Sequence, residues 1–568
     1  MSKKVVIIGG VAGGASTATR LRRLDEFAEI IILDKGPYVS FANCGLPYYV
    51  GQVIKEKEDL ELVKPSDFKN KFNIDARVNN EVLSINRRNK TVLVKNHETG
   101  EEYQLEYDNL VLSPGAEPLR PNFDGINKIP VFTLRNIPDT MKIENFISST
   151  NPTSAVVIGG GYIGLEMAEN LSHRGIRVTV IELLDQVMPT FDKEMAKYVS
   201  NELVLNRLKL VLEDGVQSFC ENNGGKGKYY VCTQKGNKYE ADLIILSIGV
   251  RPESKLAQEA GLEVNERGYI IVNERMQTSD ETIYAVGDAI QIKNLITKRS
   301  TTVPLAGPAN REGRIAADNI AGRDSIYKGV LGTAVLKIFS QTAAQTGLTE
   351  KQAIALGIDY EKIYLHPNNH AKYYPDAKPI SMKLIYETKS GKILGAQAVG
   401  GKGTEKKIDI IATSIYFGGI VEDLQELELS YAPPFGSARD CVNMAGFVAS
   451  NVHMGDVKLW HWHDAENVKK DGVVIDVRSP EQHQEGSLPA AINIPLCELR
   501  SRLNEIPKNK KIFVHCQVGL TSYIAYRILR NNGFDVRNLA GGYKTYQIAN
   551  LPPSDHVGEL KPFIQKEC

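Results

Sequence analysis

The chain has 568 residues, 42% of them hydrophobic, enough for roughly three to four domains with cores of their own. Lys+Arg and Asp+Glu both total 68, so no net charge draws the protein to nucleic acid or a membrane surface, and any anion site has to be built locally. The seven cysteines, at 44, 220, 232, 441, 497, 516 and 568, are odd in number and lack a CxxC spacing, which argues against a disulfide framework and a metal site and predicts a reducing, cytoplasmic setting.

The chain opens on "MSKKVVIIGG", whose apolar run Val5 to Ile8 is too short for a signal peptide or a membrane span and reads as a buried strand. "KVVIIGGVAGGASTATRLRRL" then predicts strand, glycine turn and helix, and "EIIILD" a second strand ending at Asp34. In "SFANCGLPYY" a lone thiol, Cys44, precedes Gly45, Leu46 and Pro47. Proline is favoured in a first helical turn, so helix N–H groups are expected to face Cys44 and lower its pKa.

The strand–turn–helix pattern recurs as "SAVVIGGGYIGLEMAENLSHRG", with "RVTVIE" ending at Glu182. Here Gly159-x-Gly161-x-x-Gly164 is a complete dinucleotide fingerprint, whereas the first loop, Gly9-Gly10-Val11-Ala12-Gly13-Gly14, has valine in the second glycine's place; Gly10 and Gly13 are expected to allow the close approach instead. Glu182 would accept a ribose 2′-OH and repel a 2′-phosphate, a preference for NADH that Arg174 and Arg177 could soften. "YDNLVLSPGAEP" and "ADLIILSIGVRPE" predict buried strands closing the two units, each followed by a glycine, Gly115 or Gly249. Residues 326–450 change to an α+β pattern, 451–464 predict a linker or docking segment holding both tryptophans, and 465–555 alternate short strands with helices.

The two glycine loops, taken with "TSDETIYAVGDA", resemble the flavin-dependent pyridine nucleotide-disulfide oxidoreductases. That resemblance implies that Gly287 and Asp288 hold the ribityl chain of FAD, with Gly9, Gly10, Gly13, Gly14, Asp34 and Gly115 around the same cofactor. Gly159, Gly161, Gly164, Glu182 and Gly249 would then serve NADH or NADPH. Members with a paired CxxxxC need a cysteine where this chain has Tyr49, so "SFANCGLPY" is similar instead to the single-cysteine branch of coenzyme A-disulfide reductases, NADH peroxidases and NADH oxidases. Ala12 stands where the peroxidases and oxidases carry a histidine, and "ATRLRRLDE" resembles the coenzyme A-disulfide reductases.

By that resemblance Ser16, Arg20, Arg23, Ser40, Asn43 and Lys71 line a coenzyme A site. Arg20 and Arg23, three apart, share a helical face and suit phosphate. "HAKYYPDA" and "SYAPPFGSARD" would place Tyr373 and Tyr431 at the substrate sulfur of the other subunit of a homodimer, with Arg439 on a phosphate. "GVVIDVRSPEQHQEGSLPAAINIP", "KIFVHCQVGLTSYIAYRILRNNGF" and "LAGGY" resemble a rhodanese domain, in which Cys516 would carry a persulfide in a nest of N–H groups. Gly519 is retained, but Thr521 replaces that loop's arginine, which disfavours thiosulfate cleavage and phosphatase chemistry.

The fold class expected is α/β, with two Rossmann-like FAD/NAD(P)-binding domains, an α+β dimerisation domain and a C-terminal rhodanese-like α/β domain. The boundaries expected are 1–120 and 250–325 for the FAD-binding domain, 121–249 for the NAD(P)H-binding domain, 326–450 for dimerisation, 451–464 for the linker and 465–555 for the rhodanese-like domain. The function expected is NAD(P)H-driven, FAD-dependent reduction of coenzyme A disulfide, or of coenzyme A persulfide or polysulfide. Coenzyme A would be substrate or bound mixed disulfide at Cys44, and Cys516 would handle sulfane sulfur. The alternatives are an NADH oxidase or peroxidase cycling through a sulfenic acid, and a slow-turnover coenzyme A or sulfur redox sensor.

Overall fold

The computed structural model describes residues 3–222 and 227–552. Contacts divide the chain into two compact units, one of residues within 3–181 and 214–330, the other within 182–213 and 331–552.

The first unit is built on two parallel sheets. In one, the strand order is Ile283–Ala285, Asn109–Leu112, Lys4–Ile8, Glu29–Leu33, Asp75–Arg77, with Val5 opposite both Ile30 and Asn109. These strands are buried on both faces, which is why they read as unbroken apolar runs. The second sheet runs Arg177–Ile181, Ser154–Ile158, Leu243–Leu246, Val131–Phe132. Both sheets aim the C-terminal ends of their central strands at a glycine turn and helix, Gly13–Leu24 in one and Tyr162–His173 in the other. Antiparallel strands Ala116–Pro118 and Val250–Pro252 pair with each other where the chain leaves and re-enters the first sheet's domain.

In the second unit a five-stranded antiparallel sheet is ordered Ala334–Ile338, Gln341–Gly347, Ile393–Gly400, Ile380–Glu387, Tyr360–Leu365. At its centre Lys383, 1% exposed, pairs with Asp192 at 2.9 Å and with Glu194 and Glu350 at 2.5 Å each; Lys362 also pairs with Glu350. Asp192 accepts from Gln397 and from the backbone of Glu350. These bonds draw the segment 182–213 into this unit, although the sequence reading groups it with residues 121–249. The motif pattern locates strands and helices but cannot show that two acids in that segment are the counter-ions of a lysine almost two hundred residues later.

A second sheet in this unit is parallel and five-stranded: Leu459–Trp460, Val536–Leu539, Lys511–His515, Gly472–Asp476, Ile492–Asn493. The stretch 451–464, expected as a linker, is therefore folded structure: the helix Cys441–His453 runs into it, Leu459 and Trp460 form an edge strand, and Trp460 is buried against Phe513. Aromatic burial supplies more stabilisation than a flexible joint would gain in entropy. His461 meets Glu361 of the antiparallel sheet, and His366 meets Thr545.

Breaking the Lys383 cluster by Lys383→Met leaves buried carboxylates without a cation and should cost about 3–5 kcal/mol. Hydrogen exchange should accelerate first in Tyr360–Leu365 and Ile380–Glu387; an unchanged unfolding midpoint would contradict this. The same ion pairs push the Glu350 carboxyl down to about 2. Its contribution is therefore complete above the ordinary carboxylate value and is lost as pH falls towards 2.

Candidate functional site: a lone thiol and a second, buried thiol

Gly9, Val11 and Gly14 of the first loop superpose in role on Gly159, Gly161 and Gly164 of the second. A Cβ on Gly9 or Gly159 would lie 2.1 or 2.4 Å from a carbonyl of the neighbouring strand's extension, and one on Gly14 or Gly164 would lie 1.9 or 2.0 Å from the first glycine's carbonyl. Gly161 faces open space, as a backbone approached by a pyrophosphate requires. At Gly10 and Gly13 the missing side chains make room for Val39 and Val286. Gly115, Gly249 and Gly287 all have positive φ.

Asp34 accepts the N–H groups of Gly10 and Gly36 at 3.1 and 2.9 Å, and burial raises its pKa. Asp288 is recessed, its carboxyl is likewise pushed up by burial, and it has no hydrogen-bond partner among the described residues. An unpaired, recessed carboxylate at the end of the central sheet fits a polyol chain that supplies hydroxyl donors. Glu182 follows the strand Arg177–Ile181 and accepts the Leu184 N–H at 2.9 Å. Arg174 is held by Glu144 at 2.5 Å and by the Val50 carbonyl at 3.1 Å, whereas Arg177 is exposed.

Cys44 lies in a short 3-10 turn, Asn43–Gly45, ahead of a helix of only five residues, Leu46–Val50. The residue is open to solvent, yet its sulfur is recessed enough for desolvation to raise the thiol pKa, and the carboxyls of Glu166 and Asp288 push it the same way. The protein alone thus raises this pKa, against the expectation from the helix terminus: burial of the sulfur, with two nearby carboxyls, outweighs one short turn. Glu166, on the helix Tyr162–His173, is itself pushed up to about 7 by burial and accepts from the Tyr48 phenol at 3.2 Å. Sequence reading missed Glu166; its one signal is its position five residues past Gly161, on the helix that the fingerprint opens.

The residues expected to line a coenzyme A site are partly engaged with each other's helices. Ser16 donates to Asn310 at 2.6 Å, and Arg20 pairs with Asp318 at 2.7 Å, both partners on the helix Ala306–Ile320. Arg22 is buried and consumed by the backbone carbonyls of Asp25, Glu26, Ala28, Phe72 and Asn73, leaving Arg23 exposed. Ser40 is buried, Asn43 exposed, and Lys71 pairs with Asp67 at 3.0 Å. Asn310 and Asp318 were invisible in the sequence because only the helix packing brings them to the first helix.

In the second unit the phenols of Tyr373 and Tyr431 hydrogen-bond each other at 2.8 Å. Both rings are exposed, as are Phe435 and Arg439. Cys516, 2% exposed, ends the strand Lys511–His515; its sulfur accepts from the Gly519 N–H at 3.2 Å and the Ser522 hydroxyl at 3.3 Å. Tyr543 N–H and Lys544 N–H hold the carbonyls of Cys516 and Gln517 at 2.8 and 2.9 Å. Arg478 braces the loop from below: it pairs with buried Asp476 at 2.7 Å, donates to Gln517 at 2.9 Å and lies 4.5 Å from the Tyr543 ring centre. Thr521 adds no charge, so the anion-holding groups here are one backbone N–H and one hydroxyl.

The family model for "Pyridine nucleotide-disulphide oxidoreductase" matches residues 3–313, that for the same family's dimerisation domain matches 333–440, and a rhodanese-like domain model matches 458–549. A coenzyme A disulfide reductase of Staphylococcus haemolyticus is 35% identical over 451 residues, 79% of this chain and 100% of the relative. Among solved structures, reduced Bacillus anthracis CoADR-RHD matches at 49% identity and a TM-score of 0.94, over 97% of this chain and 98% of that one. An NAD-dependent persulfide reductase from A. fulgidus matches at 38% and 0.89, over 96% and 100%. The expected fold class is thereby established, and the chain is a member of the pyridine nucleotide-disulphide oxidoreductases, NAD(P)H-dependent flavoenzymes, with a rhodanese-like domain at its C-terminal end.

Proposed function

We propose that this chain reduces coenzyme A disulfide and the persulfide or polysulfide of coenzyme A at Cys44, with electrons taken from NADH. The observation that carries this reading is the single recessed thiol beside Glu166, with Tyr49 where a protein partner sulfur would be needed. A thiol with no internal partner completes an exchange only with a sulfur that the substrate brings. The names of the relatives, a coenzyme A disulfide reductase and a persulfide reductase, agree with such substrates.

FAD, when bound, accepts hydride from the nicotinamide and passes an electron pair to sulfur. The groups that fit it are Asp288 and Asp34 with the Gly9–Gly14 loop, and those that fit the nicotinamide nucleotide are Gly159, Gly161, Gly164 and Glu182. Glu182 favours the free 2′-hydroxyl of NADH; Arg174 is already bound to Glu144, while exposed Arg177 stays available to the 2′-phosphate of NADPH. In the exchange step the Cys44 thiolate attacks one sulfur of the substrate, the S–S bond breaks, and coenzyme A or hydrosulfide leaves as a thiolate. Glu166 takes the Cys44 proton: burial pushes its carboxyl up to about 7, so it can accept a proton near neutrality, and its neutralisation removes a charge that raises the Cys44 thiol.

Ser16, Arg20, Arg23, Ser40, Asn43 and Lys71 hold the coenzyme A nucleotide in this reading, and Tyr373, Tyr431 and Arg439 complete the site from the other subunit of a homodimer. Cys516 stores sulfane sulfur as a persulfide anion on Gly519 and Ser522. The thiols at both sites suit a reducing cytoplasm, and among the described residues no helix is long and apolar enough to cross a membrane. Ala12 offers no proton donor for peroxide chemistry.

Cys44→Ser should abolish disulfide turnover while the FAD stays bound and is still reduced by NADH; preserved turnover would sink the role given to Cys44. Glu166→Gln removes a negative charge from beside the thiol, so the pH profile of Cys44 alkylation by iodoacetamide should move to lower pH, and an unmoved profile would remove Glu166 from the account. Cys516→Ser should spare coenzyme A disulfide but slow coenzyme A persulfide about tenfold or more, ~1.4 kcal/mol in barrier; equal rates on both would make that domain structural.

A further inference from the structure

Two cysteines outside the sites above lie together in the first unit, on the three-stranded antiparallel sheet Val216–Glu221, Tyr229–Thr233, Lys238–Ala241. Register pairs Cys220 with Tyr230 and Ser218 with Cys232. Cys220 and Cys232 are therefore diagonal neighbours, and the two-residue period of a strand puts them on one face. Their sulfurs are 3.8 Å apart, with Cys220 exposed and Cys232 half-buried. Lys238 stands directly opposite Cys232; burial and the neighbouring Cys232 raise the Cys220 thiol pKa, and the Lys238 ammonium offsets only part of that. Phe219 and Val231, buried on the opposite face, form the sheet's packing side. Joining the sulfurs therefore calls for side-chain rotation on the open face together with a small approach of the two strands.

We propose that Cys220 and Cys232 form a reversible dithiol–disulfide couple, a second redox centre that low-molecular-weight disulfides oxidise. In the first step the Cys220 thiolate attacks a disulfide RSSR, the R–S–S–R bond breaks, and one RS⁻ leaves, taking up the proton that Cys220 gave up. In the second the Cys232 thiolate attacks the Cys220 sulfur of the mixed disulfide and expels the second thiol. Two protein thiols and RSSR thus become one protein disulfide and two RSH, and the electron pair passes from the cysteines to RSSR.

The diagonal position sets the character of the couple. Diagonal residues lie at or just beyond the separations a relaxed disulfide spans, so closing the bond draws the two strands together and leaves it strained and readily reduced by an excess of thiol. This makes it a labile bond that follows the thiol–disulfide ratio around the enzyme, unlike a permanent staple. The inference needs only the sheet geometry and any small disulfide; it does not depend on the chemistry assigned to Cys44.

The test uses the full-length, flavin-loaded, fully reduced protein, incubated anaerobically with glutathione disulfide or coenzyme A disulfide without NADH. It is then quenched with N-ethylmaleimide and mapped by peptide mass spectrometry. A cross-linked pair of peptides containing Cys220 and Cys232, lost again on adding excess coenzyme A, is the expected result. Cys232→Ser should then trap the small thiol on Cys220 with no cross-link. Alkylation of both cysteines, or separate adducts on each without a cross-link in the unaltered protein, would overturn the proposal. Because Cys44 is read in the same map, an adduct at Cys44 with an untouched pair would defeat only this inference, and a cross-linked pair with Cys44 untouched by coenzyme A disulfide would defeat only the reading under Proposed function.

Discussion

Everything at the candidate site turns on the recessed, negatively flanked setting of Cys44. Desolvation opposes ionisation of the thiol most, and the carboxyls of Glu166 and Asp288 add to it. An isolated sulfur in such a place is a poor nucleophile until a proton is accepted nearby or a positive or polar group moves in. Glu166, pushed up to about 7, is a carboxyl able to accept that proton near neutrality.

The surrounding fold exists to bring these groups together from distant parts of the chain. Cys44 follows the first strand–helix–strand unit, Glu166 sits on the helix of the second, and Asp288 follows a strand laid against the first sheet. Close backbone approach makes this possible: Gly9 and Gly14 touch the neighbouring strand's extension and each other, and Gly313 lets the helix Ala306–Ile320 come down on Gly13. The same helix delivers Asn310 and Asp318 to Ser16 and Arg20, so the geometry of the candidate coenzyme A site is set by helix packing as much as by its own residues. In the second unit the corresponding role falls to the Lys383 cluster, which joins the antiparallel sheet to the segment 182–213.

Much of this was legible in the sequence because it is written in local pattern. The buried parallel strands appear as apolar runs, the glycine spacings mark the nucleotide turns, and Cys516 stands at the end of a strand ahead of a glycine turn. What could not be read is what depends on long-range packing. Glu166 and Ser522 look like ordinary helical residues until the fold places them against sulfur, and nothing in the glycine loop shows that Val39 and Val286 pack against Gly10 and Gly13. The direction of the Cys44 pKa was hidden for the same reason: a proline-led helix start is local, whereas the burial of the sulfur and the carboxyls beside it come from the packing of distant segments. Residues 451–464 look like a linker by composition, yet Trp460 finds Phe513 and becomes part of a sheet.

The most direct test of the central claim is anaerobic oxidation of NADH by the purified flavoprotein with coenzyme A disulfide, coenzyme A persulfide, glutathione disulfide and hydrogen peroxide as separate acceptors. The account predicts that a coenzyme A disulfide or persulfide supports the fastest turnover, well above glutathione disulfide, with peroxide slowest. Peroxide turnover exceeding that of every coenzyme A acceptor would contradict it and restore a sulfenic acid cycle at Cys44.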